Sequence, residues 1–116
     1  MRFSTALLDA VIERKKKERE KIRLQLLKKL INTLDKLGRE IPFEEAYIFG
    51  SVVKPFRFVE GSDIDIGFIG LKDNYFFKAM SFISDEMGMD VDAIQMECHR
   101  LADKIRREGL RWTKRD

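Results

Sequence analysis

Residues 62–69 have the sequence SDIDIGFI, and this segment decides the fold. Its first residues alternate between polar and apolar side chains, and its end is nearly all apolar. An alternation of period two indicates a β-strand, and the apolar end is typical of a central strand that is covered on both faces. The strand is therefore predicted to project Asp63 and Asp65 together from one face of a sheet and to point Ile64 and Ile66 into the core.

Weaker signals place further elements around this strand. We predict strands over 46–49, 63–69 and 90–96, helices over 5–37, 74–86 and 97–107, a short helix or loop over 52–58, and a basic tail over 111–115. The long first helix follows from a run without Pro or Gly, and Gly38 and Pro42 are predicted to end it. The order of elements predicts an α/β fold, with a small mixed β-sheet flanked by helices and a long N-terminal helix.

The composition limits the class of protein. The chain has 116 residues, of which 44% are hydrophobic, so we expect one domain over 1–116, with the long helix in 1–38 and the core in 44–110. No stretch approaches the roughly 18 to 20 apolar residues that a membrane span needs. Cys98 is the single cysteine, so no internal disulfide forms, and we expect a cytoplasmic protein.

The first helix has an isolated apolar end. Leu7, Leu8, Val11 and Ile12 form an apolar cluster, while every residue from 13 to 21 is charged. We call this cluster the apolar tip. A partner protein or a second copy of the chain would cover the tip in a complex, and the alternative is that it folds back or frays.

Three short motifs contain residues that could bind a ligand or a metal ion. Gly50-Ser51 follows a predicted strand, where a glycine allows a ligand to approach the backbone closely. Asp63 and Asp65 share one face of the next strand, where a cation such as Mg²⁺ would offset their repulsion. A third strand begins with a further pair, Asp90 and Asp92, either of which could reach the same site. Three carboxylates are able to hold two divalent ions.

Together these motifs resemble the minimal nucleotidyltransferases, or MNT domains, of the polymerase-beta-like superfamily. That family carries Gly-Ser at the end of a first strand, Ser-Asp-x-Asp on a second and Val-Asp on a later one. The corresponding segments here are IFGS (48–51), SDIDI (62–66) and VDAI (91–94), within a likeness that extends from about residue 45 to 110.

The resemblance implies roles for these residues. Asp63, Asp65 and Asp92 would hold two Mg²⁺ ions and act in catalysis, with Asp92 preferred to Asp90 as the third carboxylate. Nucleotide binding would involve Gly50, Ser51, Lys54 and Ser62. The reaction would transfer a nucleoside monophosphate from a nucleoside triphosphate, with ATP as the first candidate, to a hydroxyl group, and would release pyrophosphate.

The loop after Ser51 departs from the family pattern. The family commonly has Arg-x-Arg-Gly there, whereas this chain has Val52-Val53-Lys54-Pro55. Lys54 or Arg57 is then the nearby cation for phosphate, as a point charge rather than a bidentate fork.

The predicted elements leave no segment to bind an acceptor, so we expect a separate protein to present it. MNT proteins pair with helical HEPN proteins as antitoxin and toxin, which implies a HEPN-like partner here. The alternative is a catalytically weak or inactive antitoxin-like module that neutralises a partner. A net charge of only +3, together with a basic run over 14–21 that includes Glu and has no aromatic residue, disfavours nucleic acid as the partner.

Overall fold

The computed structural model describes residues 5–59 and 61–114. In chain order the elements are α1 (Thr5–Glu40), β1 (Glu45–Phe49), a 3₁₀ turn (Ser51–Val53), β2 (Ile64–Ile69), α2 (Asp73–Met87), β3 (Val91–Gln95), α3 (Ala102–Glu108) and β4 (Leu110–Thr113). The three strands and three helices predicted from the sequence are all present. The fourth strand was not predicted.

The strands form one mixed sheet in the order β3-β2-β1-β4. β1 is antiparallel to both β2 and β4, and β2 is parallel to β3 through the crossover helix α2. In this register Phe49 of β1 pairs with Asp65 of β2, and Asp65 pairs with Asp92 of β3. Asp65 and Asp92, which lie in the sequence motifs, and Phe49, which precedes Gly50, therefore lie in one row across the sheet.

The two faces of the sheet are covered differently. α1 and α2 pack on one face, which we call the core face, and their side chains bury Ile48, Ile64, Ile66 and Phe68 completely. The opposite face, which we call the site face, carries a smaller cluster of Tyr47, Met96 and Ile105, the last from α3. As predicted, Ile64 and Ile66 point into the core while Asp65 lies on the opposite face.

The helix α1 is longer than the rest of the molecule is wide, and the extents of the structure are 63 × 28 × 25 Å. Its C-terminal half packs, with Leu30, Leu34 and Leu37 fully buried. Its N-terminal half projects, and all four residues of the apolar tip are exposed. Residues 1–4 of the predicted 1–38 segment lie outside the described residues.

The prediction that Gly38 ends the first helix was wrong. The helix continues to Glu40, and Gly38 is buried within it. A Cβ atom at this position would lie 2.9 Å from Cη2 of Trp112, so the glycine makes room for an indole ring. The helix ends only before Pro42, whose ring disfavours helical backbone in the residue before it.

The prediction of an unstructured basic tail over 111–115 was also wrong. Residues up to Thr113 form β4, so the core extends beyond residue 110, and Arg115 lies outside the described residues. Trp112 is buried against Phe43, with ring centroids 5.0 Å apart, and its indole N–H donates to Asp35 Oδ1 at 2.8 Å. Arg111 pairs with Glu45 of β1 at 2.9 Å. This arginine is therefore used in sheet pairing.

The remaining helices agree with the sequence in position but not in every detail. α2 ends at Met87, and Gly88 after it has the left-handed conformation that is common at helix ends (φ 67°). α2 is only partly buried, since Phe77 is 72% exposed. α3 begins five residues later than predicted. In residues 5–59 and 61–114, none of the helices combines the length and apolar character that a membrane span requires.

Candidate active site

Two carboxylates lie directly opposite each other on the site face. Asp65 and Asp92 are register partners on parallel strands, which run about 4.8 Å apart. Asp63 immediately precedes β2, two residues before Asp65, and is exposed. The sheet therefore brings together the three carboxylates that the sequence motifs singled out.

The charges of these carboxylates interact. Partial burial raises the pKa of the Asp65 carboxyl group above its ordinary value, and the neighbouring charges of Asp92 and Asp63 raise it further. The register of β2 and β3 places Asp92, rather than Asp90, directly beside Asp65.

The Gly50-Ser51 turn packs against the same carboxylate. Gly50 follows β1 with φ 83° and ψ −156°, a conformation that essentially only glycine adopts. A Cβ atom at Gly50 would lie 2.5 Å from Oδ2 of Asp65. Glycine is thus needed here both for its backbone conformation and for the space it leaves beside the carboxylate.

A small cleft of about 140 Å³ opens beside this turn. Gly50 and Lys54 line it from one side, and Lys104 and Ile105 of α3 line it from the other. Lys104 was not identified from the sequence, because only the packing of α3 against β1 brings it to the turn. The cleft supplies two cations near Gly50 in a chain that has no arginine in the four residues after Ser51.

The loop after Ser51 is fixed by the long helix. Arg23 of α1 is only 6% exposed, and its Nη1 donates to the carbonyl of Val52 at 3.1 Å. Glu20 pairs with Arg23 and accepts the backbone N–H of Phe56 at 3.0 Å. The hydrogen bonds from Arg23 and then Phe56 lower the pKa of Glu20. Glu20, in the charged stretch over 13–21, therefore contacts this loop.

A second, larger cavity of about 580 Å³ lies at the edge where β2 and β3 begin. Ser62, Asp63 and Asp90 line it together with residues of α1 and α2. Asp90 thus faces this cavity, and its backbone carbonyl accepts the N–H of Ile64 at 3.1 Å. Ser62 lines this cavity and not the small cleft, which Gly50 and Lys54 line.

The residues present fit a divalent cation that is completed by substrate oxygens. Within the described ranges, no group of three or more His, Cys, Asp or Glu side chains is arranged to hold a metal ion by itself. Mg²⁺ commonly takes one or two carboxylates plus substrate phosphates. The close pair of Asp65 and Asp92, with Asp63 beside it, matches this smaller requirement.

The chain matches no protein-family model and no curated protein. Among solved structures it is similar to a 1.40 Å crystal structure of a "putative nucleotidyltransferase" from Sulfolobus solfataricus. The two sequences are 26% identical, the TM-score is 0.50, and the match covers 80% of this chain and 84% of that one. The mixed sheet, the flanking helices and this likeness define a nucleotidyltransferase fold.

Proposed function

We propose that this protein is a Mg²⁺-dependent nucleotidyltransferase that transfers a nucleoside monophosphate, with ATP as the first candidate donor, to a hydroxyl acceptor. The observation that carries the proposal is the juxtaposition of Asp63, Asp65 and Asp92 beside the Gly50 turn. A cluster of like charges with a raised carboxyl pKa is unfavourable unless it has a cationic ligand, and such clusters are typical of functional sites. The likeness to the Sulfolobus protein supports the same class.

The proposed chemistry assigns a task to each part of the site. Asp65 and Asp92, with Asp63 beside them and with oxygens of the substrate, would hold Mg²⁺, which when bound neutralises charge on the phosphates. Lys54 and Lys104 bind the outer phosphates from the small cleft, and Gly50 leaves the backbone open to them. The acceptor oxygen forms a bond to the α-phosphorus as the bond to the bridging oxygen breaks and pyrophosphate leaves. The acceptor proton passes to the Asp92 carboxylate.

The partner in this proposal is a HEPN-like protein that presents the hydroxyl group, as expected from the resemblance to MNT domains. The apolar tip of α1 supports a protein partner, because four apolar side chains are exposed there on a helix that projects from the domain. A second copy of the chain on the tip is the competing outcome. Sedimentation of the isolated protein separates the two, since only self-association makes its mass depend on concentration.

A binding module without catalysis is the second candidate function. Val52 and Pro55 favour it, since they stand where the related family has Arg and Gly. The presence of Lys104 in the small cleft weakens this argument, because it returns a cation to the phosphate side of the site.

Calorimetric titration tests the proposal without knowledge of the acceptor. ATP and then the other nucleoside triphosphates are titrated with and without Mg²⁺ into the wild type and into Asp63→Asn/Asp65→Asn. We expect Mg²⁺-dependent binding that the double variant loses. The variant Asp73→Asn/Asp85→Asn, which changes two exposed carboxylates of α2, is the matched control and should bind like the wild type. Equal binding by both double variants would contradict the proposal.

A further inference from the structure

The larger cavity has an apolar wall and an acidic rim. Ile22 and Leu26 of α1 line it together with Phe58 and Met89. The polar residues that line the cavity are Ser62, Asp63, Ser84 and Asp90. A volume of about 580 Å³ lies within the range of about 300 to 1,000 Å³ that is usual for ligand pockets.

The charges of this cavity are opposite to those of the small cleft. Among the described residues, its lining contains the carboxylates of Asp63 and Asp90 and no Lys or Arg. The small cleft instead contains Lys54 and Lys104, with Glu108 as its one carboxylate in the part of the chain described. Asp90, which is not among the residues assigned to Mg²⁺, favours a cationic group in the larger cavity, and the apolar wall favours a ligand with an apolar body.

Asp63 connects the cavity to the proposed reaction. It lines the larger cavity, and its charge also acts on Asp65. Asp65 in turn contacts the Gly50 side, where the small cleft begins. The carboxylates therefore lie between the two spaces, and a group bound in the larger cavity reaches them from the side away from the phosphates.

We propose that the larger cavity binds the acceptor side of the reaction, and that its ligand is a basic and apolar segment of the partner protein next to the acceptor hydroxyl. The identification of the ligand as the acceptor rests on the proposed function, but binding in the cavity is testable alone. The apolar residues of the segment cover Ile22, Leu26 and Met89, and its cationic side chain pairs with Asp90 at the rim.

The test uses three capped tripeptides that differ only in charge, Leu-Lys-Leu, Leu-Glu-Leu and Leu-Gln-Leu. Methyl NMR spectra of the full chain are recorded during each titration. We expect saturable shifts of Ile22, Leu26 and Met89 with Leu-Lys-Leu, weaker shifts with Leu-Gln-Leu and none with Leu-Glu-Leu. Equal shifts with all three peptides, or none with Leu-Lys-Leu at millimolar concentration, would overturn the proposal.

Two exposed aliphatic residues of α1 provide a matched pair of variants. Ile22 lines the cavity and Leu24 does not, and both are about half exposed, so arginine at either is compatible with folding. Ile22→Arg should abolish binding of Leu-Lys-Leu and allow binding of Leu-Glu-Leu, while Leu24→Arg should behave like the wild type. Identical behaviour of the two variants would place the peptide elsewhere.

A milder change tests the rim. Asp90→Asn should weaken Leu-Lys-Leu binding about two- to five-fold, the effect expected of a partly exposed ion pair, and Asp85→Asn should not. Amide shifts of Gly50 and Lys54 with Mg²⁺ and ATP are recorded on the same sample. Absence of Leu-Lys-Leu binding to the wild type, with nucleotide binding present, rejects this inference alone. Peptide binding without nucleotide binding rejects the proposed function and keeps the cavity as a binding site.

Discussion

The two faces of β2 show how one strand serves both stability and chemistry. On the core face, Ile64, Ile66 and Phe68 have no exposed surface and pack under α1 and α2. On the site face, one residue away along the strand, Asp65 lies between Asp92 and the Gly50 turn. Burial of apolar side chains on the core face stabilises the fold, whereas the mutual repulsion of the carboxylates on the site face opposes folding.

Stability and activity can therefore be changed separately by substitutions on the two faces of β2. Because successive side chains of a strand point to opposite faces, substitutions one residue apart affect different properties. Changes on the core face should lower stability, and changes on the site face should lower activity with little loss of stability or even a gain.

The largest effect is expected for activity on the site face. Asp92→Asn should lower nucleotidyl transfer about 10²- to 10⁴-fold, the usual contribution of a positioned general base. Pyrophosphate release from ATP, with the partner protein present, measures this rate. The unfolding midpoint in urea should change little, and a large drop in that midpoint would show that Asp92 is a structural residue instead.

The largest effect on stability is expected on the core face. Ile66→Ala should lower the free energy of unfolding by about 2 to 5 kcal/mol, because the residue is fully buried. Ile94→Ala changes the same side chain at a half-buried position near α3 and should cost less. Urea denaturation of both variants makes the comparison, and equal losses would mean that the two faces are equally well packed.

A pair of glycines separates backbone strain from site geometry. Gly50 and Gly61 both have positive φ, at 83° and 89°, so alanine at either should cost about 1 to 3 kcal/mol. Only at Gly50 would the new Cβ collide with Asp65, since nothing lies within 4 Å of a Cβ at Gly61. Gly50→Ala should therefore abolish Mg²⁺-dependent ATP binding in calorimetry, and Gly61→Ala should preserve it.

The smallest effect is a difference in pH dependence between two carboxylates. The pKa of Asp65 is raised, so its charged form destabilises the fold at neutral pH, and this penalty disappears below the ordinary carboxyl pKa of about 3.9. Asp65→Asn should thus be more stable than the wild type at pH 7, with the gain vanishing in acid.

The pKa of Glu45 is shifted in the opposite direction to that of Asp65. Its hydrogen bond from Arg111 lowers its pKa, so the stability it contributes is present above the ordinary carboxyl pKa and is lost as pH falls through the lowered value. Glu45→Gln should therefore be less stable than the wild type at pH 7. Urea midpoints from pH 7 to acid test both variants, and parallel curves would contradict the assigned shifts.

Much of the fold could be predicted because its signals are local. Alternation in residues 62–69 located β2 and its two faces, and the long run without Pro or Gly located α1. The carboxylates could be identified because each lies in a short motif on a strand, and strands bring such motifs into one row. The structure places them together, while their catalytic and metal-binding roles stay predictions.

The parts that escaped prediction depend on contacts between distant segments. Lys104 lies near Gly50 only because α3 packs on β1, and Arg23 fixes the loop at Val52 across 29 residues of sequence. Gly38 resembled a helix stop, but packing against Trp112 explains it better. The strand β4 was obscured by its charges, although the alternation of Leu110 and Trp112 with polar residues after Gly109 was a usable signal.

The most direct test of the central claim is a map of amide chemical shifts on addition of ATP with Mg²⁺. If nucleotide chemistry belongs to the site face, the amide signals of Gly50, Ser51, Asp65 and Asp92 should move together with one dissociation constant, while those of Leu30 and Ile83 on the core face stay in place. Shifts confined to the core face, or no shifts at any nucleotide concentration, would contradict the account.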